Sequence, residues 1–204
     1  MLQLSAVHPH TLGLLKRLMA LEGLRDFTLV GGTALALQIG HRLSVDLDFF
    51  GQTQLTGEEI LSIIKDFEGV RAMSSSKSIN IMSIQGVKVD FVNYRYPFIV
   101  DVIHTDGVRL AGLPDIAAMK LNAVVGRGKK RDFFDLYFLL ERFTMEELIG
   151  YYEAKYTDGS IFMVARSLTY FEEAEEDEAP ELFDKKVTWS RVKKRLIDES
   201  RRVF

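Results

Sequence analysis

The sequence predicts an α+β protein: a lobe with a mixed sheet over residues 1–110, followed by a helical lobe over residues 111–204. Three observations carry this. Apolar residues alternate with period two in several short runs of the first half, the pattern of half-buried strands. The period turns helical after Pro114 and stays so to the end of the chain. A glycine pair, Gly31-Gly32, closes one apolar run and opens a helix-like one, so strand and helix are joined without a loop.

The elements follow in order. "TLGLLKRLMALEGL" has leucines at helical spacing and packs one face inward. "FTLV" reads as a short buried strand ending at the glycine pair, and "TALALQIG" as a short helix with Gly40 as its stop. "SVDLDFF" alternates and reads as a strand, with Val45, Leu47 and Phe49 pointing into a core. "TGEEILSIIKDFEG" is an amphipathic helix whose Thr56 and Glu59 have capping-box spacing. Two further strands, "SINIMSI" and "VKVDFVNY", flank the turn at Gln85-Gly86. Helices follow at "DIAAMKLNAVVG", "RDFFDLYFLLERF", "MEELIGYYEAKY" and "IFMVARSLTYF", and a last one begins at Ser190. The acidic run Glu172 to Glu181 reads as a solvated loop or frayed helix end.

Composition narrows the class. With 47% hydrophobic and 27% charged residues over 204 positions, the chain can bury a sizeable core. Its formal net charge of −3 argues against non-specific coating of nucleic acid, while leaving room for a local basic patch. The absence of cysteine removes disulfides and thiolate metal sites, and fits a reducing cytoplasm. The start "MLQLSAVHPH" lacks the features of a secretory signal, and no apolar stretch is long enough to span a bilayer. The expectation is a cytoplasmic protein with no membrane partner.

The chemistry is concentrated in "GGTALALQIGHRLSVDLDFF". On a strand, Asp46 and Asp48 project to one face, where two close carboxylates repel unless a cation lies between them. Oxygen-only ligation suits Mg²⁺ or Mn²⁺, and Asp90 in "KVDFV" is the third acid with the same strand alternation. With 29 acids in the chain, about four acid-x-acid pairs arise by chance, so a half-exposed polar strand is the plain alternative. The glycines upstream shift the balance: free backbone N–H groups without a Cβ make a phosphate cradle at the start of a helix. Cradle and acid pair together read as one nucleoside triphosphate site.

Strand, Gly-Gly, short helix and hydrophobic-Asp-hydrophobic-Asp-hydrophobic together resemble the DNA polymerase β-type nucleotidyltransferase superfamily. The fuller string is similar to the AbiEii/AbiGii toxin family, nucleotidyltransferase toxins of type IV toxin–antitoxin systems. A second motif supports this resemblance: "AAMKLNAVVGRGKKRDFFDLYFL" carries Lys120, Arg131, Asp132 and Asp135 in the order Lys…Arg-Asp-x-x-Asp. The resemblance covers roughly residues 27–140. It implies a polymerase β-like lobe and Mg²⁺-dependent transfer of a nucleoside monophosphate from an NTP, with loss of pyrophosphate. It also implies a cognate antitoxin and, for some members, a tRNA 3′ end as acceptor.

The expected catalytic residues are then Asp46, Asp48, Asp90, Lys120 and Asp132, with Asp46, Asp48 and Asp90 as metal ligands. Nucleotide contacts are expected from Gly31, Gly32, Thr33, Arg42, Ser44, Lys120 and Arg131. Each has a structural counterpart. Arg131 and Asp135, spaced i and i+4, can pair with each other in an ion-pair network, Ser44 can be a strand-start hydroxyl, and Arg42 a surface loop cation. Phe133, Phe134, Tyr137 and Phe138 have core spacing. The segment "GRGKKR", with Lys129 and Lys130, is the expected basic approach for RNA, or else a solvated turn. Two alternatives stay open: a small-molecule nucleotidyltransferase using the same residues, and an inactive nucleotide- or partner-binding module.

Overall fold

The computed structural model describes all 204 residues. In chain order the helices are α1 (Pro9–Met19), α2 (Gly31–Ile39), α3 (Gly57–Ile63), α4 (Leu113–Gly126), α5 (Lys130–Leu139), α6 (Met145–Lys155), α7 (Ile161–Leu168), α8 (Glu172–Glu175) and α9 (Trp189–Val203). The strands are β1 (Thr28–Val30), β2 (Leu47–Gly51), β3 (Arg71–Ser75), β4 (Ile79–Ile84), β5 (Val87–Asn93), β6 (Ile103–Thr105) and β7 (Val108–Leu110). Two compact units result. One comprises Met1–Ile39 and Ser44–Gly112, the other Gly40–Leu43 and Leu113–Phe204. A four-residue segment from early in the chain thus belongs with the helices of its second half.

The first unit is built on a seven-stranded mixed sheet in the order β3-β4-β5-β2-β1-β7-β6. Its centre is parallel between β2 and β5 and antiparallel between β1 and β2. Alternation does what the sequence predicts in β2 and β5: Leu47, Phe49, Val89 and Phe91 are buried, and Phe49 stacks on Phe91 at 5.3 Å. Val45 departs from the expected pattern. It is 50% exposed, because β2 begins only at Leu47 and the chain before it is not in the ladder. Thr56 and Glu59 form both halves of the capping box on α3.

Three strands escaped the sequence reading. The edge strand β3 is exposed along its whole length, so no apolar alternation marks it. The short pair β6 and β7 is closed by Asp106-Gly107, both with positive φ, at 51° and 76°. Asp-Gly in that conformation is a tight hairpin turn, and it was the available signal.

The second unit is helical. Phe133, Phe134, Tyr137 and Phe138 are buried, and Trp189 of α9 stacks on Phe134 at 5.7 Å. The acidic run is more ordered than expected, since it forms α8 and fixes Trp189, whose indole N–H donates to Glu175 at 3.0 Å. Between α4 and α6, Lys155 donates to Asp115 Oδ1 at 2.6 Å with both side chains fully buried. Burial lowers the pKa of Lys155 against the pull of Asp115.

Breaking such a pair strands a charge. Asp115→Ala should therefore destabilise the protein by about 3–5 kcal/mol, whereas Asp115→Leu with Lys155→Met should recover most of that loss. Urea unfolding of the two variants checks this; equal stability of both would contradict it.

Candidate active site

The glycine pair enters α2 directly from β1. Gly31 has φ of +69°, and a Cβ there would lie 2.4 Å from Asp48 Oδ2. Both facts require glycine. The first N–H groups of α2 have no partner within the helix, so the turn presents donors where the Asp48 carboxylate comes close. In the sheet, Asp48 is paired with Val30 on one side and with Asp90 on the other. Adjacent residues of parallel strands share a face, and Asp48 and Asp90 are therefore neighbouring acids.

Asp90 is held unevenly. Lys88, two residues upstream on the same face, donates to its Oδ2 at 2.5 Å. Its Oδ1 is buried and has no hydrogen-bond partner. Lys88 was missed in the sequence, although period two places it beside Asp90, whereas Asp46, expected beside Asp48 on one strand face, lies before the start of β2 and outside that alternation. The expected trio of metal ligands is not assembled: no three acidic or imidazole side chains gather closely enough to hold a metal ion. Asp48 and Asp90 still fit a hard divalent cation, since they are adjacent in register, offer oxygen alone, and leave Asp90 Oδ1 unsatisfied.

Thr33 and Ser44 do not face an open cleft. Both are buried; the Thr33 hydroxyl lies 2.8 Å from Ser44 Oγ and donates to the carbonyl of Asp46. Their role here is to fasten the approach to β2 onto α2, which positions the partly buried Asp46.

The second motif builds a separate constellation in the helical unit. Asp135 is completely buried and receives Arg42 in a bidentate pair, Nε at 2.7 Å and Nη2 at 3.0 Å. His41 Nε2 lies 2.7 Å from the same carboxylate, and Lys120 Nζ 2.6 Å from it. Lys120 also donates to buried Asp132 at 2.8 Å, and Arg127 makes two bonds to Asp132 at 2.9 and 3.1 Å. Arg42 and Lys120, expected on a triphosphate, are thus buried in ion pairs, and Asp132 is saturated by Lys120 and Arg127. Asp135 pairs with Arg42 rather than Arg131, which is exposed on the first turn of α5. The i, i+4 alternative fails because burial turns Asp135 inward.

Burial by itself would neutralise these groups, but their mutual attraction outweighs it. Desolvation opposes ionisation of Asp135, yet the charges of Arg42 and Lys120 hold it well below the carboxylate range. Asp132 is lowered in the same way, by Lys120 and Arg127 against burial. Lys120 is raised, the two aspartates overcoming its desolvation. His41 is the exception. Burial lowers its pKa more than Asp135 raises it, and its Nδ1 is buried without a partner, as befits a neutral ring donating from Nε2.

The "GRGKKR" segment is open only in part: Arg127, Lys129 and Arg131 are exposed. Lys130 is buried, donates to the carbonyls of Glu175 and Asp177, and lies over the Trp189 ring. Lys129 pairs with Asp177 at 3.0 Å. The acidic run thus meets Lys129 with a carboxylate and Lys130 with backbone carbonyls.

Comparison with known proteins places the chain in one family. The family model described as nucleotidyl transferase AbiEii toxin, type IV toxin–antitoxin system, matches residues 13–202. The uncharacterised protein aq_aa25 of Aquifex aeolicus is 36% identical over 169 residues, which is 80% of this chain and 82% of that protein. Among solved structures, a candidate nucleotidyltransferase from H. pylori superposes with a TM-score of 0.61 at 20% identity, covering 95% of this chain and 94% of its own. JHP933 from Helicobacter pylori superposes with a TM-score of 0.60 at 19% identity, covering 96% and 92%. At that identity the structures speak for a shared fold alone.

Two outcomes follow from the geometry. Gly31→Ala should cost about 1–2 kcal/mol for its left-handed backbone and displace the Asp48 carboxylate, so NTP-dependent thermal stabilisation should shrink in a protein that still folds. An unchanged thermal shift would contradict the cradle. His41 has a folded pKa below its ordinary 6.5, so below that pH the unfolded chain takes up a proton that the folded chain refuses. Stability should fall as pH drops through this window, and His41→Gln should flatten the fall, as urea unfolding across the pH range will show. The lowered carboxylates contribute stability throughout this window and lose it only at pH below the usual carboxylate range.

Proposed function

The chain belongs to the AbiEii nucleotidyltransferase toxin family of type IV toxin–antitoxin systems, and from that premise we propose that it moves a nucleoside monophosphate from an NTP onto an RNA, a tRNA 3′ end being the acceptor. It is a nucleotidyltransferase; the acceptor, the metal and the residue roles are our reading. A cognate antitoxin belongs to the same reading, as does residence in the cytoplasm. No helix is long and apolar enough to cross a membrane.

One juxtaposition supports the reading most strongly. A helix that opens on glycine lies against Asp48, and Asp48 is in register with Asp90, whose Oδ1 is buried and unsatisfied. The amides of Gly31 and Gly32 would bind phosphate oxygens, where the missing side chains permit close approach. Asp48 and Asp90, with Asp46 as the third acid, would hold Mg²⁺ or Mn²⁺. Bound there, the cation would offset charge on the α-phosphate and the leaving pyrophosphate and lower the pKa of the attacking hydroxyl. Asp90 Oδ1 would accept the proton of that hydroxyl, since Lys88 occupies only Oδ2. Thr33 and Ser44 set the position of Asp46. Lys120 and Asp132 act as positioning residues, holding Arg42, His41 and Arg127 in one arrangement, and Arg131 contributes a surface cation on α5.

The experiment incubates the protein with Mg²⁺, each labelled NTP, total tRNA and a pool of small hydroxylated acceptors. Labelled RNA is expected, with Asp48→Asn and Asp90→Asn each reducing transfer on the order of 10²-fold or more while melting temperature is maintained. Label found only in small molecules would overturn the RNA acceptor. Near-normal transfer by both variants would overturn the assignment of the acids.

A further inference from the structure

Charge is distributed unevenly along this chain. Residues 185–202 hold eight cations against two acids, a surplus of six, although the whole chain carries −3. Most of that surplus lies on α9, and the helix sorts its residues by face. Val192 and Leu196 are buried, with Glu199 and Ser200 beside them. The opposite arc consists of Arg191, Lys194, Arg195, Arg201 and Arg202, interrupted by Asp198 alone, and all six are exposed.

We propose that this face of α9 is the docking surface for the phosphate backbone of the RNA acceptor. The inference rests on the RNA reading above. The arc runs for about 16 Å of helix, long enough to face several consecutive phosphates. Its few acids do not cancel it. Lys194 pairs with Asp198 at 3.1 Å and Arg202 with Glu146 at 3.8 Å, exposed pairs that are worth little and yield readily to a phosphate, while the buried Glu199 is shared by Arg195 at 3.0 Å and Arg202 at 3.2 Å, one acid between two cations. Arg191 lies over the Tyr137 ring at 5.8 Å, which orients its guanidinium without neutralising it. A basic amphipathic helix also suits a membrane surface, but here the apolar side is already buried in the protein and cannot insert. What the face offers is charge without apolar area, and a polyphosphate backbone matches that. Lys185 and Lys186, exposed just before the helix, extend the same surplus.

The test measures binding apart from transfer. Fluorescence anisotropy with labelled tRNA, over a series of salt concentrations, is run on the wild type, on Lys194→Glu with Arg201→Glu, and on Lys185→Glu with Lys186→Glu. The second double variant lies outside the helix and guards against a folding defect in the first. RNA affinity should fall by about tenfold or more in each, and the slope of log affinity against log salt should shrink by roughly one per lost phosphate contact. Transfer at subsaturating RNA should fall in parallel, while the thermal shift produced by NTP stays that of the wild type. Wild-type protein that labels RNA while both variants bind it with unchanged affinity and slope would overturn this surface and leave the RNA reading standing. Lost binding with undiminished transfer would also overturn it, since α9 would then lie outside the productive complex. Wild-type protein that neither binds nor labels RNA would overturn the RNA reading itself, and this surface with it.

Discussion

A carboxylate with no exposure to water cannot stay ionised unless cations come to it, and Asp135 is such a carboxylate. It draws Arg42 and His41 from the segment between α2 and β2, and Lys120 from α4. The backbone follows the side chains: Leu43 N–H donates to Glu181 and Phe183 N–H to His41, so Gly40–Leu43 is fastened to the helical unit. Lys120 then carries the constraint to Asp132, and Asp132 to Arg127. One buried charge thereby fixes the conformation of the second motif and of the loop that precedes the acid pair.

The acids of this protein divide by how completely they are satisfied. Asp115 is matched by Lys155, and Asp132 and Asp135 by several donors each; these are structural charges whose chemistry is spent on holding helices. Asp90 differs. Lys88 takes one of its oxygens and the other is buried without a partner. Leaving such an atom unpaired costs of the order of 1–3 kcal/mol, a cost that a binding site recovers from its ligand.

Cations obey the same logic. Lys129 and Lys130 look like an available basic patch in the sequence, but the acidic run folds back to meet them, and its Asp177 carboxylate is lowered chiefly by the Lys130 backbone N–H. Arg127, Lys129 and Arg131 stay at the surface beside it, as do Arg191, Lys194, Arg195, Arg201 and Arg202 of α9. Local charge density in a sequence therefore does not tell which of its cations are buried until the acids that fold against them are known.

The sequence by itself determined the class of the fold, the strands at β1, β2, β4 and β5, the capping box on α3 and the helical second half, because side-chain period and capping chemistry are local. It also singled out Gly31, Asp48 and Asp90, since a glycine at a strand-to-helix junction and acids in a strand alternation are written in neighbouring residues. It did not reveal β3, which has no buried face, nor the pairing of His41 and Arg42 with Asp135, 94 and 93 residues away. Only the tertiary structure decided which charged residues are buried in ion pairs and which remain at the surface. The reason is physical: the worth of a charge depends on its desolvation and its partners, and both are set by residues that packing, not sequence neighbourhood, brings beside it.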